Sequence, residues 1–189
     1  MAGDRWLVAG LGNPGPQYAG HRHNAGFMVA AELTARMGAR LRRDRSRALV
    51  ATGQLAGAPV TVAEPLTYMN ESGRPVAAVR AFYRVPPERV VVIHDELDLP
   101  FGVIRLKLGG GDNGHNGLRS VTAALGTRDY YRVRFGIGRP PGRMDPADFV
   151  LQNFSAAERR ELPLLVDRCA DAAQALVQQG LQAAQNQYH

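Results

Sequence analysis

The sequence predicts an α/β fold: a single domain over residues 1–189, built as a three-layer sandwich with a twisted, mixed β-sheet flanked by helices. Three observations predict it. Short valine-rich runs alternate along the chain with stretches whose apolar residues recur at helical spacing. Two of the runs are separated only by a short glycine-containing turn, so part of the sheet is antiparallel. The chain is also 45% hydrophobic and 21% charged over 189 residues, which is enough to bury a core and too apolar for disorder.

Residues 6–9 read as a short buried strand that ends at the glycine- and proline-punctuated stretch 10–26. Residues 27–37 carry apolar side chains at helical spacing and stop at Gly38. The basic run Arg40, Arg42, Arg43, Arg45 and Arg47 reads as a solvated surface. Residues 48–54 and 59–63 form the hairpin-like strand pair, 65–70 a loop, and 76–83 a helix that must end before Pro86-Pro87. Residues 89–94, with Val90, Val91, Val92 and Ile93, give the strongest strand signal.

Residues 103–108 and 131–137 alternate cleanly. Arg105 and Lys107 share one face of the first strand, and Arg132 and Arg134 share one face of the second. Between them, Gly109-Gly110-Gly111 leads to a helix over 116–125. Ser155 and Glu158 form a capping box at the start of a long C-terminal helix. Its apolar stripe contains Leu162, Leu165, Val166, Cys169, Ala173, Leu176 and Val177, so Cys169 is expected to be an inert core thiol.

Gly10-Leu11-Gly12-Asn13-Pro14-Gly15 matches the G-x-G-x-x-G dinucleotide fingerprint after a strand. That motif needs a helix opening at its last glycine, and here Pro14, Gly15, Pro16 and Gly20 keep the chain in a loop. Dinucleotide binding is therefore rejected. What the loop does provide is Asn13 at a strand end, where open α/β sheets build their sites.

Asn13, His23, Asn70, Asp95, His115 and Asn116 all fall at strand ends or in loops. Each has an ordinary explanation alone; Asn24 and Asn116, for example, could cap helices. Together they suit acyl-ester hydrolysis by water. A histidine can take the proton from water when a carboxylate such as Asp95 orients its ring. Neutral amides can hold a carbonyl and steady an oxyanion without adding charge. The four serines show no G-x-S-x-G elbow. His94 and Asp95 are adjacent on a strand and point to opposite faces, and no H-E-x-x-H or cysteine pair is present, so a metal is not expected.

The formal net charge of +6 suits a polyanionic partner but does not by itself establish one. The single cysteine excludes an intrachain disulfide and suits a reducing compartment. No stretch reaches the ~20 apolar residues of a membrane span. A cytoplasmic monomer with no membrane association is expected.

Six ordered motifs resemble the bacterial-type peptidyl-tRNA hydrolase family: residues 10–15, Arg22-His23-Asn24-Ala25-Gly26, Thr67-Tyr68-Met69-Asn70-Glu71-Ser72-Gly73, His94-Asp95-Glu96-Leu97-Asp98, Gly114-His115-Asn116-Gly117-Leu118 and Arg134-Phe135-Gly136-Ile137-Gly138. The resemblance implies hydrolysis of the ester joining a peptide to the tRNA 3′ ribose, with peptidyl-tRNA as partner, no DNA and no cofactor. It implies that His23 is the base and Asp95 its orienting partner. Asn13, Asn70 and Asn116 would hold the substrate, with Tyr18, Met69 and His115 around the cleft. Lys107 and Arg134 would grip tRNA phosphate, joined on their faces by Arg105 and Arg132. A non-catalytic RNA-binding scaffold of the same fold is the alternative reading.

Overall fold

The computed structural model describes residues 4–189. In chain order the strands are β1 (Trp6–Gly10), β2 (Arg42–Arg43), β3 (Ala48–Leu55), β4 (Ala58–Pro65), β5 (Val90–Glu96), β6 (Ile104–Leu108) and β7 (Tyr131–Gly136). The helices are α1 (Ala25–Arg36), α2 (Gly73–Phe82), α3 (Asn116–Leu125), α4 (Pro146–Val150), α5 (Ala156–Gln179) and α6 (Leu181–Tyr188). All seven strands belong to one mixed sheet of order β2-β3-β4-β1-β5-β7-β6. Strands β4, β1, β5 and β7 are parallel, whereas β2, β3 and β6 run antiparallel to their neighbours.

Every residue of β5 is buried, because helices cover both faces of a central parallel strand; this is why it reads as a continuous apolar run. On one face Val8, Val62, Ile93 and Phe135 pack with Ala30 and Leu33 of α1 and Cys169 and Leu176 of α5. On the other, Leu7, Ala9, Ala63 and Val92 pack with Val76 and Val79 of α2 and Leu118 and Val121 of α3. The three-layer sandwich expected from the sequence is therefore present. Because β1, β4 and β5 are parallel, the loops after all three emerge at the same rim, where the site forms.

Several local features differ from the expectation. The basic run contains β2, whose exposed arginines lie on an edge strand; charges there discourage pairing with another chain. Helix α2 begins at Gly73, one turn earlier than its apolar spacing indicated. The short α4 opens on Asp145, whose side chain accepts a hydrogen bond from Ala147 N, with Pro146 as the first helical residue. The C-terminal helix is two helices, broken at Gly180 with φ 91°. The α6 segment closes the other sheet edge: Leu106 N donates to His189 Nε2 (2.9 Å), and Gln185 Nε2 donates to Leu106 O (3.0 Å).

Candidate active site

His23 lies in a 3₁₀ turn, Arg22–Asn24, directly before α1. Arg22 fixes that turn from behind. Its guanidinium donates to Glu158 Oε1 (2.9 Å) and Phe149 O (3.3 Å), and it sits 3.9 Å from the centre of the Phe149 ring. Glu158 also closes the capping box of α5, so α4, α5 and the His23 turn share one anchor.

Asp95, near the end of β5, is 3% exposed and bonded through both oxygens. His23 Nδ1 lies 2.8 Å from Oδ2, and His115 Nε2 lies 2.8 Å from Oδ1. The tautomer of His115 follows from its other nitrogen: Nδ1 accepts from Gly117 N (3.1 Å) and Leu118 N (3.2 Å), so the proton sits on Nε2 and points at Asp95. His115, not Asn116, is thus the N-cap of α3. His23 in turn donates from Nδ1 to the ionised carboxylate, which leaves Nε2 unprotonated as a base.

Burial alone would raise the pKa of Asp95, but His23 and His115 outweigh it and hold the carboxyl well below the usual range. Burial of His23 disfavours its cation, yet the charge and hydrogen bond of Asp95 prevail and raise its pKa above 6.5. His94 behaves differently. Fully buried and edge-on to His115 (5.1 Å between ring centres), it is pushed down to about 3 by desolvation, with His115 and Arg132 adding to the effect, and stays neutral. Its Nδ1 donates to Asp95 O (2.7 Å), which fixes the backbone that carries Asp95.

The amides occupy the other wall. Asn13 Oδ1 accepts from Met69 N (2.7 Å), which ties the β1 loop to the β4 loop and leaves Asn13 Nδ2 without a partner among the described residues. Asn24 braces Asn13 rather than capping α1: its Oδ1 accepts from Asn13 N and its Nδ2 donates to Asn13 O, both at 2.9 Å. Asn70 and Asn116 line the same hollow of about 270 Å³ as Asn13, His23, Tyr68 and Met69. A smaller hollow of about 140 Å³, bounded by Asp95, Asn113, His115 and Val150, adjoins it at His23 and Asn116. Tyr18 stands behind this wall, edge-on to Tyr68 at 6.2 Å.

The sequence reading missed part of the enclosure. Ala147, Val150 and Leu151 of the α4 region face the hollows, and Asp145-Pro146 was the readable signal for that helix. It also missed the bond between His115 and Asp95, which no spacing in the chain reveals.

None of the four basic residues lines either hollow. Register pairs Arg105 with Arg134 and Lys107 with Arg132, so the two basic pairs, read on separate strands, come together on one sheet face. Arg132, however, is 1% exposed. Strand β6 ends at the opposite rim from Asp95, so residues 109–115 must run back across this face to bring His115 to Asp95, and they cover Arg132 on the way. Its guanidinium donates to Gly111 O and Arg128 O and lies 4.6 Å from the centre of the Tyr130 ring. The expectation that Arg132 presents itself with the other three is corrected accordingly: it supports the loop from below. Arg105, Lys107 and Arg134 are partly exposed. Desolvation and neighbouring arginines lower the pKa of Lys107.

His23, Asp95 and His115 also bring three potential metal-ligand atoms within 4.8 Å of one another. The hydrogen bonds assign those atoms as two donors and one acceptor, so a cation there would have to displace two protons.

A histidine base paired with a buried carboxylate and faced by amide donors, at the carboxyl rim of an α/β sheet, is the equipment of a hydrolase that uses water. The sequence profile of the peptidyl-tRNA hydrolase family matches residues 7–189, and the chain belongs to that family. It is 66% identical to the peptidyl-tRNA hydrolase of Frankia casuarinae over 97% of this chain and 93% of that one. It is 61% identical to that of Mycolicibacterium smegmatis over 97% and 96%. The crystal structure of peptidyl-tRNA hydrolase from Acinetobacter baumannii superposes with a TM-score of 0.91 at 38% identity, covering 98% and 94% of the two chains.

Proposed function

We propose that this member of the peptidyl-tRNA hydrolase family cleaves the ester between a peptide and the tRNA 3′ ribose with water activated by His23. The observation that carries the mechanism is the His23–Asp95–His115 arrangement. His23 Nε2 takes a proton from water as the oxygen attacks the ester carbonyl, and Asp95 stabilises the imidazolium. The oxygen that becomes negative meets amide donors in the hollow lined by Asn13, Asn70 and Asn116. Collapse breaks the bond to the ribose 3′-oxygen, which leaves with the proton from His23, and the peptide departs as a carboxylate. Met69 and Tyr68 form the apolar side of the cleft, with Tyr18 supporting Tyr68.

Arg105, Lys107 and Arg134 form the surface for tRNA phosphate, with Arg132 setting the loop beside them. The protein works as a monomer in the cytoplasm. Its single cysteine is buried, with the thiol pKa raised by desolvation, and no helix among the described residues is long and apolar enough to cross a membrane. A scaffold without turnover has no need of a base whose tautomer is fixed through two other residues.

The test is release of the amino-acid moiety from N-acetyl-aminoacyl-tRNA by wild type and His23→Ala, with and without chelator. Chelator-resistant cleavage that falls by ~10²–10⁴ in the mutant is expected. A mutant keeping half the activity would remove His23 from its role.

A further inference from the structure

Glu64 is out of place for a residue of the buried sheet. It is 7% exposed at the C-terminal end of β4, and no Lys, Arg or His among the described residues lies within ion-pair distance of it. Among the described residues its side chain makes no hydrogen bond either. Buried carboxylates are ordinarily paired, because desolvating one without a partner is costly. The side chain opens instead into a groove of about 330 Å³ between α1 and the 13–19 loop, whose walls include Phe27, Met28, Leu49 and Leu66. The groove therefore has apolar walls and one unpartnered acidic group.

This groove is not the hydrolytic cleft, but the two share a wall: Asn13 lines both. A peptide held at Asn13 with its ester at His23 has the Glu64 groove as its next hollow.

We infer that the groove is a second binding site, which takes a primary ammonium on an apolar stem, supplied by a lysine side chain in the peptide portion of the substrate. The carboxylate provides the charge complement and Phe27, Met28, Leu49 and Leu66 the contact for the stem. The identity of the ligand as substrate peptide rests on the hydrolase reading above; the chemistry of the groove does not. Desolvation raises the Glu64 pKa to about 7, the signature of an anion that lacks its counter-charge.

Two arms test this. In the first, the free protein carrying ¹³C-labelled glutamate is titrated by NMR at pH 8 with n-butylammonium and, separately, with n-butanol. The ammonium should shift one carboxyl resonance, the one missing in Glu64→Gln, and the alcohol should not; no shift with the ammonium, or an equal shift with both, overturns the site. In the second, N-acetyl-lysyl-phenylalanyl-tRNA is compared with its norleucine counterpart. Wild type should show a KM about tenfold lower for the lysine substrate, as a charge-assisted contact provides, and the ratio should collapse to one in Glu64→Gln. Ammonium binding with no lysine preference would overturn the peptide as the source and leave a site for a free amine. Failure to cleave either substrate would strike the hydrolase reading alone, since the NMR arm decides the groove without turnover.

Discussion

Both oxygens of Asp95 are engaged, one by each histidine, so the carboxylate can neither rotate nor accept a proton without losing a partner. His115 thereby orients the residue that orients the base. The consequence is a pH dependence with a definite sign. His23 works unprotonated and Asp95 raises its pKa above 6.5, so kcat/KM should fall as pH drops through a midpoint above 6.5. In Asp95→Asn that midpoint should move to lower pH, and the rate at the plateau should fall less than in His23→Ala, because the base remains. A limb that stays in place would detach His23 from the profile. Glu64 provides a second prediction, in stability. Its carboxyl titrates at 4.5 when free and at about 7 in the fold, so the native state holds the extra proton between those values. Stability should therefore fall as pH rises from 4.5 to about 7 and level off above it. Glu64→Gln should be more stable than wild type at pH 8 by up to about 3 kcal/mol, with the gap closing below pH 4.5, as read from denaturant melts across that range. At this scale the sequence offered His23 and Asp95 only as two of six polar residues at strand ends and in loops, and their pairing as base and orienting carboxylate came from the family resemblance. The bracing by Asn24 and the cap by His115 were not legible. Each depends on a partner that only the folded chain brings near, and an asparagine before a helix reads as a cap whatever it does.

The position of His23 is set by how α1 meets the sheet. Gly26 is the second residue of α1, three positions after His23, and a Cβ there would overlap Ile93 O and lie 2.6 Å from Leu11 N and O. Gly10 faces Gly26 from β1 with equally little room, so helix and sheet touch backbone to backbone. Gly26→Ala must push α1 outward. The expected cost is about 1–3 kcal/mol in stability, with kcat falling because His23 moves with the helix and leaves Asp95; denaturant melts and turnover measured together check it. A variant with wild-type stability would mean that the interface yields more than its geometry allows. Element types were largely readable, since α1, α3, β5 and the capping box of α5 each carry strong local signals. Those that escaped are short or depend on context: β2 has two residues, α4 has five, and the break at Gly180 is a single backbone angle. The path of residues 109–115 was also hidden. Alternation assigns Arg132 to a face but cannot say that the loop returns over that face.

At the scale of the molecule, the same topology separates chemistry from grip. The parallel strands send Asn13, Asn70 and Asp95 to one rim, whereas the antiparallel β6–β7 pair presents Arg105, Lys107 and Arg134 on a sheet face beyond the returning loop. On the proposed reading, a substrate that reaches both is large and charged, and these three residues supply part of the net charge of +6. The separation predicts that the two functions can be impaired independently. Lys107→Ala combined with Arg134→Ala should raise KM for full-length tRNA substrates and leave kcat nearly intact, because neither residue lines the hollows around His23. Each lost phosphate contact removes about one released counterion, so the slope of log kcat/KM against log salt should flatten by roughly one to two. The effect should vanish for a substrate reduced to an N-acetyl-aminoacyl ester of a short 3′ oligonucleotide, which cannot span from the rim to the basic face. If the double mutant lost kcat on the short ester as well, the basic face would be acting through the 109–115 loop on His115. Arg132, already bound to that loop at Gly111, would then be the residue through which the two regions communicate.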